Sequence, residues 1–311
     1  MIGIRAQKRL TELLGERCRF DVPMASLTTW CVGGPADCLV QPQSSDEIAA
    51  VFKICQAENE PVRVVGAGSN LLILDGGLRG VTILMRGALD YFRVEEAGDE
   101  EVHVTVGGAL DVEDFSRRCV DHGVAGMEFI AGVPGSIGGG VRMNAGTDRG
   151  TFADILLEIE VVEATGRVRR LPREELVYKY RGLALDGPFV VTEAKLRGRR
   201  GDAETIGREV AAIIAKRRER QPWDCASCGS TFKNPEGGHA GKLIESTGLK
   251  GYRIGGAQVS EKHANFLINV GDATAEDLLQ LIEHVRQTVF EKTGIWLEPE
   301  VKIWGERHAS R

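Results

Sequence analysis

The sequence predicts an α+β fold: a two-lobed N-terminal region, residues 1–85 and 86–200, followed by a C-terminal α+β lobe over 201–305. Three observations predict it. Stretches with helical spacing lie in both the N-terminal and C-terminal parts, two of them behind capping residues. Short β-branched runs fill the middle, and two glycine-rich turns interrupt the pattern. With 311 residues, 42% of them hydrophobic, the chain is long enough to build more than one core.

The elements follow in order. Ser44-Ser-Asp-Glu47 reads as a capping box, and Ile48, Val51, Phe52 and Cys55 then recur at helical spacing. Pro61 to Val65 is a short strand that leads straight into the turn Gly66-Ala-Gly-Ser-Asn70 and the apolar Leu71 to Leu74. Val81 to Met85 and Val102 to Val106 read as strands. From Asp111 a short helix carries Val112, Phe115 and Val120 inward until Gly123 stops it. Strands follow at Ile155 to Val162, Arg167 to Leu171 and Phe189 to Leu196. Arg197-Gly-Arg-Arg-Gly201 then reads as a charged linker between lobes. A helix from Ala203 to about Arg220 turns Ile206, Val210, Ile213 and Ile214 to one face. Its basic last turn complements the helix dipole, either as a solvated end or as an anion grip. Thr274 caps a final helix with Leu278, Ile282, Val285 and Val289 inward, and Gly294 ends it.

Composition excludes several classes. A formal charge of −6 argues against a general nucleic-acid binder. No apolar stretch approaches the roughly 20 residues that span a membrane. Arg5, Lys8, Arg9 and Glu12 interrupt the N-terminal apolar residues, so no signal peptide is expected and the chain is placed in the cytoplasm. Seven cysteines with no framework spacing read as reduced thiols. The pair Cys225 and Cys228 lacks further metal ligands and reads as incidental loop thiols, and no metal is expected.

Six glycines between Gly132 and Gly146 are the strongest local signal, because average usage of roughly 7% would place about one there. Such a run is either a surface loop or a place where backbone presses against a bound anion, with Ser136 adding a hydroxyl donor. The second glycine turn, at Gly66, favours two backbone cradles for a diphosphate. Neither run ends in Gly-Lys-Ser/Thr, and the Gly66 turn lacks the third glycine of the dinucleotide fingerprint. In the C-terminal lobe, Gly229-Ser-Thr-Phe-Lys-Asn-Pro235 offers a hydroxyl, a cation and an amide within a few residues, although Ser230 alone could be a turn serine. No histidine stands in a partner motif for an acyl-transfer serine. Arg181 is a permanent cation suited to a carboxylate, and Glu300 could hold an enolate through a proton.

Together these residues resemble the UDP-N-acetylenolpyruvoylglucosamine reductases (MurB), flavoenzymes of bacterial cell-wall peptidoglycan synthesis with an FAD-binding fold of the vanillyl-alcohol-oxidase (PCMH) type. The likeness runs from about Thr28 to Gly305. It includes Thr28 to Asp37, the two glycine loops, Met143-Asn-Ala-Gly146, the serine loop, and the blocks Gly241 to Glu245, Gly248 to Gly251, Ile254 to Ala257 and Val259 to Asn265. The short segment between Arg181 and Phe189 matches type II of the family. The resemblance implies that FAD is held by Gly66, Ala67, Gly68, Ser69, Asn70, Leu71, Pro134, Gly135, Ser136, Gly138, Gly139, Asn144, Ala145 and Gly146. It implies that NADPH reduces this FAD and that flavin N5 passes hydride to the enolpyruvyl carbon of UDP-N-acetylglucosamine enolpyruvate. By the same likeness Ser230 supplies the proton, Arg181 and Glu300 stabilise the enolate, and Arg220, Lys233, Asn234 and Lys242 contact substrate. A monomer is expected, without nucleic-acid or membrane partners. Gly140, where the family more often has alanine, and Thr147 to Arg149 depart from the pattern.

Overall fold

The structure, a computed structural model, describes residues 1–179 and 182–307. It is the α+β mixture expected, divided into two compact units that are each discontinuous in sequence. The first comprises Met1–Phe20, Asp37–Ala67 and Gly80–Lys216, and the second Asp21–Ala36, Gly68–Arg79 and Arg217–Arg311. The borders expected after residues 85 and 200 both fall inside the first unit.

The first unit holds two cores. One lies between helices Ile4–Leu14 and Ser45–Ala57 and a four-stranded sheet ordered Cys18–Pro23, Pro35–Val40, Leu78–Leu84, Val62–Val65. Ser44 caps its helix by accepting the Glu47 N–H at 3.2 Å, as the sequence indicated. The Glu47 carboxylate does not close the box. It accepts the Gln43 N–H and grips Arg17 instead. The other core fills one face of the larger sheet, whose main path runs Val168–Pro172, Leu156–Glu163, Phe189–Arg200, Glu101–Gly107, Phe92–Glu96. Helix Val112–Asp121 packs there through Val112, Phe115, Ser116 and Cys119, whereas Val120 is only half-buried.

The linker expected at Arg197–Gly201 is not one. Strand Phe189–Arg200 runs through it, pairing Arg197–Arg199 with Glu101–His103 and Arg199–Arg200 with Val124–Ala125. Arg197 and Arg199 are exposed on one face while Gly198 between them is buried on the other, and exposed Arg200 ends the strand, so clustered charge disguised an ordinary strand. Helix Ala203–Arg220 forms as expected but buries only Ile206 fully, with Val210, Ile213 and Ile214 half-buried.

The second unit builds its core on helix Ala275–Thr293, with Leu278, Ile282, Val285 and Val289 inside. Thr274 and Asp277 form a reciprocal capping box, and Gly294 closes the helix in the left-handed region at φ 73°. Asp75 adds two further caps, accepting the N–H groups of Ala275 and Glu276 at 3.1 and 3.0 Å. The core also takes in Trp30, Val32, Leu72 and Leu74 from early in the chain. Trp30 donates its indole N–H to the Leu267 carbonyl at 2.7 Å. Leu71–Ile73 lies parallel to Lys302–Trp304.

Candidate active site

The run Gly132–Gly146 is a turn followed by a helix, which the glycine count alone did not suggest. Gly132 and Gly135 take positive φ, Ser136 caps helix Ile137–Met143, and Asn144 ends it in the left-handed region. Three glycines inside so short a helix are costly, and packing explains two of them. A Cβ on Gly138 would lie 2.9 Å from the carbonyls of Gly108 and Val191, and one on Gly140 would enter the Phe152 ring. The missing methyl at Gly140 is therefore replaced by Phe152, which is fully buried. Asn144 turns its Oδ1 to the Ala153 N–H at 2.9 Å.

Within this unit the two glycine turns abut. A Cβ on Gly66 would stand 2.5 Å from Ser136 Oγ, so only glycine lets the strand end approach the serine this closely. Among the described residues, the N–H groups of Gly66, Ala67, Gly135 and Ser136 donate to no protein acceptor. Arg86 holds the Ala67 carbonyl at 3.0 Å. Neighbouring backbone donors with no protein acceptor are what a diphosphate requires, and the residues present fit that part of an FAD.

The remainder of the first turn belongs to the second unit, where it meets the other half of the candidate machinery. Asn70 donates its side-chain N–H to the Glu300 carbonyl at 3.3 Å, and its own carbonyl accepts the Lys302 N–H at 3.0 Å. Cys228, directly before Gly229 and Ser230, lies within 3.3 Å of the Leu71 carbonyl and Thr29 Oγ1. Its thiol is buried and pushed up to about 11 by that burial. It acts as a tether between the serine loop and the Leu71 strand, which the loop-thiol reading did not anticipate.

Ser230 is half-buried, and the two residues after it are fully buried. The Thr231 carbonyl accepts the Glu300 N–H at 2.8 Å, and Phe232 bridges to Pro299. The hydroxyl of Ser230 and the carboxylate of Glu300 thus stand on adjacent, hydrogen-bonded segments. Lys233 pairs with Glu298, and Asn234 gives its Oδ1 to the Ala240 N–H at 3.0 Å, at the start of helix Ala240–Ser246. Arg220 and Lys242 are exposed cations without an ion pair among the described residues. Arg181 lies outside the described residues.

One cation was hidden in the basic helix end. Arg217 has a buried Nε with no hydrogen-bond partner among the described residues, and burial lowers the pKa of its guanidinium. A desolvated cation is costly without an anion, so Arg217 joins Arg220 as a candidate anion ligand. In the sequence it was one of four basic residues in five, with nothing to single it out.

Comparison with known proteins gives concordant matches. Residues 36–172 match the FAD binding domain family, and residues 221–304 match the family described as UDP-N-acetylenolpyruvoylglucosamine reductase, C-terminal domain. The chain is 42% identical to the UDP-N-acetylenolpyruvoylglucosamine reductase of Lachnoclostridium phytofermentans over 294 residues, 94% of each chain. Identity to the enzyme of that name from Bacillus subtilis is 40% over 285 residues, covering 91% of this chain and 92% of that one. The crystal structure of the Thermus caldophilus enzyme superposes with a TM-score of 0.78 at 34% identity, covering 92% of this chain and 99% of that one.

Proposed function

The chain belongs to the UDP-N-acetylenolpyruvoylglucosamine reductase family, and from that premise we propose that it uses FAD and NADPH to reduce UDP-N-acetylglucosamine enolpyruvate to UDP-N-acetylmuramate. The observation that carries the site-level reading is the pairing of the serine loop with the Glu300 segment, through the 2.8 Å bond from the Glu300 N–H to the Thr231 carbonyl. That pairing supports a site with a hydroxyl donor and a carboxyl group, the pair needed where a carbanion beside a carboxylate must be stabilised and protonated.

Gly66, Ala67, Gly68, Ser69, Asn70 and Leu71, with Pro134, Gly135, Ser136, Gly138, Gly139, Asn144, Ala145 and Gly146, would hold the cofactor. Bound there, FAD would supply the hydride chemistry that carries reducing equivalents from NADPH to the enolpyruvyl carbon. Ser230 gives its hydroxyl proton to the adjacent carbon and regains one from solvent, because a serine hydroxyl is too weak an acid to remain ionised. Glu300 in its protonated form, together with Arg181, stabilises the enolate. One such preorganised donor is worth about 3 to 4 kcal/mol. Arg217, Arg220 and Lys242 would neutralise the substrate diphosphate, and Lys233 and Asn234 would border it. We assign the reaction to the cytoplasm and to a single chain.

A spectrum and one variant test this. The purified protein should carry a flavin spectrum, bleached by NADPH under argon and restored by the enolpyruvyl sugar. Ser230→Ala should keep FAD and its reduction by NADPH while product formation falls by about 100-fold or more. Unchanged turnover in that variant would remove Ser230 as proton donor. A colourless protein that takes up no FAD would end the whole reading.

A further inference from the structure

The segment after Ser230 is held on two sides, and one of those sides is a single asparagine. Asn265 is 4% exposed, and its carbonyl accepts the Thr231 N–H at 2.8 Å. Its side chain then behaves as a strand partner for the next residue: Oδ1 accepts the Phe232 N–H at 3.0 Å and Nδ2 donates to the Phe232 carbonyl at 2.8 Å. Thr231 and Phe232 are 0% and 1% exposed, so these backbone groups have no recourse to water. Across the segment, Glu300 and Lys233 complete the frame, through Glu300 N–H to Thr231 at 2.8 Å and Lys233 N–H to the Glu298 carbonyl at 2.9 Å.

We infer that Asn265 is a positioning residue for proton delivery, whose side-chain amide locks Phe232 and thereby fixes the register of Ser230 against Glu300. Asparagine is singled out by chemistry. The site needs an acceptor and a donor on one short planar group, which aspartate, serine and alanine do not provide at neutral pH. The two bonds also fix which way the amide points, since the reversed amide would set donor against donor. The inference rests on Ser230 being the proton donor.

The test uses the FAD-loaded enzyme and four forms: wild type, Asn265→Ala, Ser230→Ala and the double variant. In Asn265→Ala, anaerobic reduction by NADPH should stay within about twofold of wild type. Reoxidation by the enolpyruvyl sugar should slow by about 100-fold, the usual consequence of displacing a reacting group by about 1 Å. The double variant should be no slower than Ser230→Ala alone, because both changes act on one step. Multiplying losses, or a parallel fall in the NADPH step, would overturn the inference. A fully active Ser230→Ala would instead overturn the proton-donor assignment beneath it. Should Asn265→Ala fail to fold, Asn265→Asp keeps the acceptor and the shape and should show the same split. In the wild type the Phe232 amide should be among the slowest to exchange hydrogen. Exchange as fast as an open loop refutes the clamp directly.

Discussion

Alanine at position 66 should destabilise the protein because of a single oxygen atom, and removing that oxygen should restore it. Gly66 does not take positive φ, so alanine's backbone is admissible there. The new methyl would lie 2.5 Å from Ser136 Oγ, about 1 Å inside ordinary contact. The cheapest escape is rotation of Ser136, which forfeits its cap on the Gly139 N–H at 3.4 Å and leaves a hydroxyl unpaired in a residue 4% exposed. The lost cap costs about 1 kcal/mol and the buried hydroxyl at least about 1 more. Gly66→Ala should therefore lose about 2 kcal/mol, roughly 30-fold in the folding equilibrium. Ser136→Gly alone should cost only a few tenths, because glycine is an acceptable cap. In that background Gly66→Ala should cost almost nothing, a coupling of about 2 kcal/mol. Urea unfolding of the FAD-free chain, followed by far-UV circular dichroism, measures all four corners of the cycle. Equal cost in both backgrounds would show that the two glycine turns do not touch as described.

Glu47→Gln should weaken the fold at neutral pH but not in acid. Bonds from Arg17 hold the Glu47 carboxyl below its ordinary 4.5, so its stabilisation is present above that pH and lost as pH falls through the depressed value. The pair is partly exposed, and a loss of about 1 kcal/mol at pH 7 is expected, shrinking in melts as the pH falls below 4.5 and through the depressed value. A constant deficit across that range would refute the assignment. Cys228 should resist alkylation of the native protein at pH 8, where roughly one thiol in a thousand is ionised, while exposed Cys31 reacts. Mass mapping that finds both labelled at similar rates would count against the tether.

The parts legible in the sequence were those written in local chemistry. The final helix carried its cap, its inward face and its terminal glycine in one stretch, and the structure follows them residue by residue. The strand through Arg197–Arg200 was hidden because three of its last four residues are exposed arginines, and its pairing with Val124–Ala125 is a long-range fact. The glycine run carries a second reason besides a ligand. Density of glycine suggested a ligand, and Gly138 and Gly140 are also required by close contacts with Gly108, Val191 and Phe152, which only the folded chain brings near. At the candidate site, Ser230 and Glu300 could be named from motif. Asn265 stood in a recognised block without a role, since a side chain posing as a strand leaves no local signature.

The parallel pair of Leu71–Ile73 with Lys302–Trp304 sets a clock for the growing chain. At about 5 to 20 residues per second, a ribosome needs on the order of 10 to 50 s to reach the second strand after making the first. Until then Leu72 and Leu74, destined for the second unit's core, have neither their strand partner nor the helix Ala275–Thr293 to cover them. The same applies to Trp30. The nascent protein therefore carries an apolar, unpaired edge through most of its synthesis, and the last strand to emerge is the one that retires it.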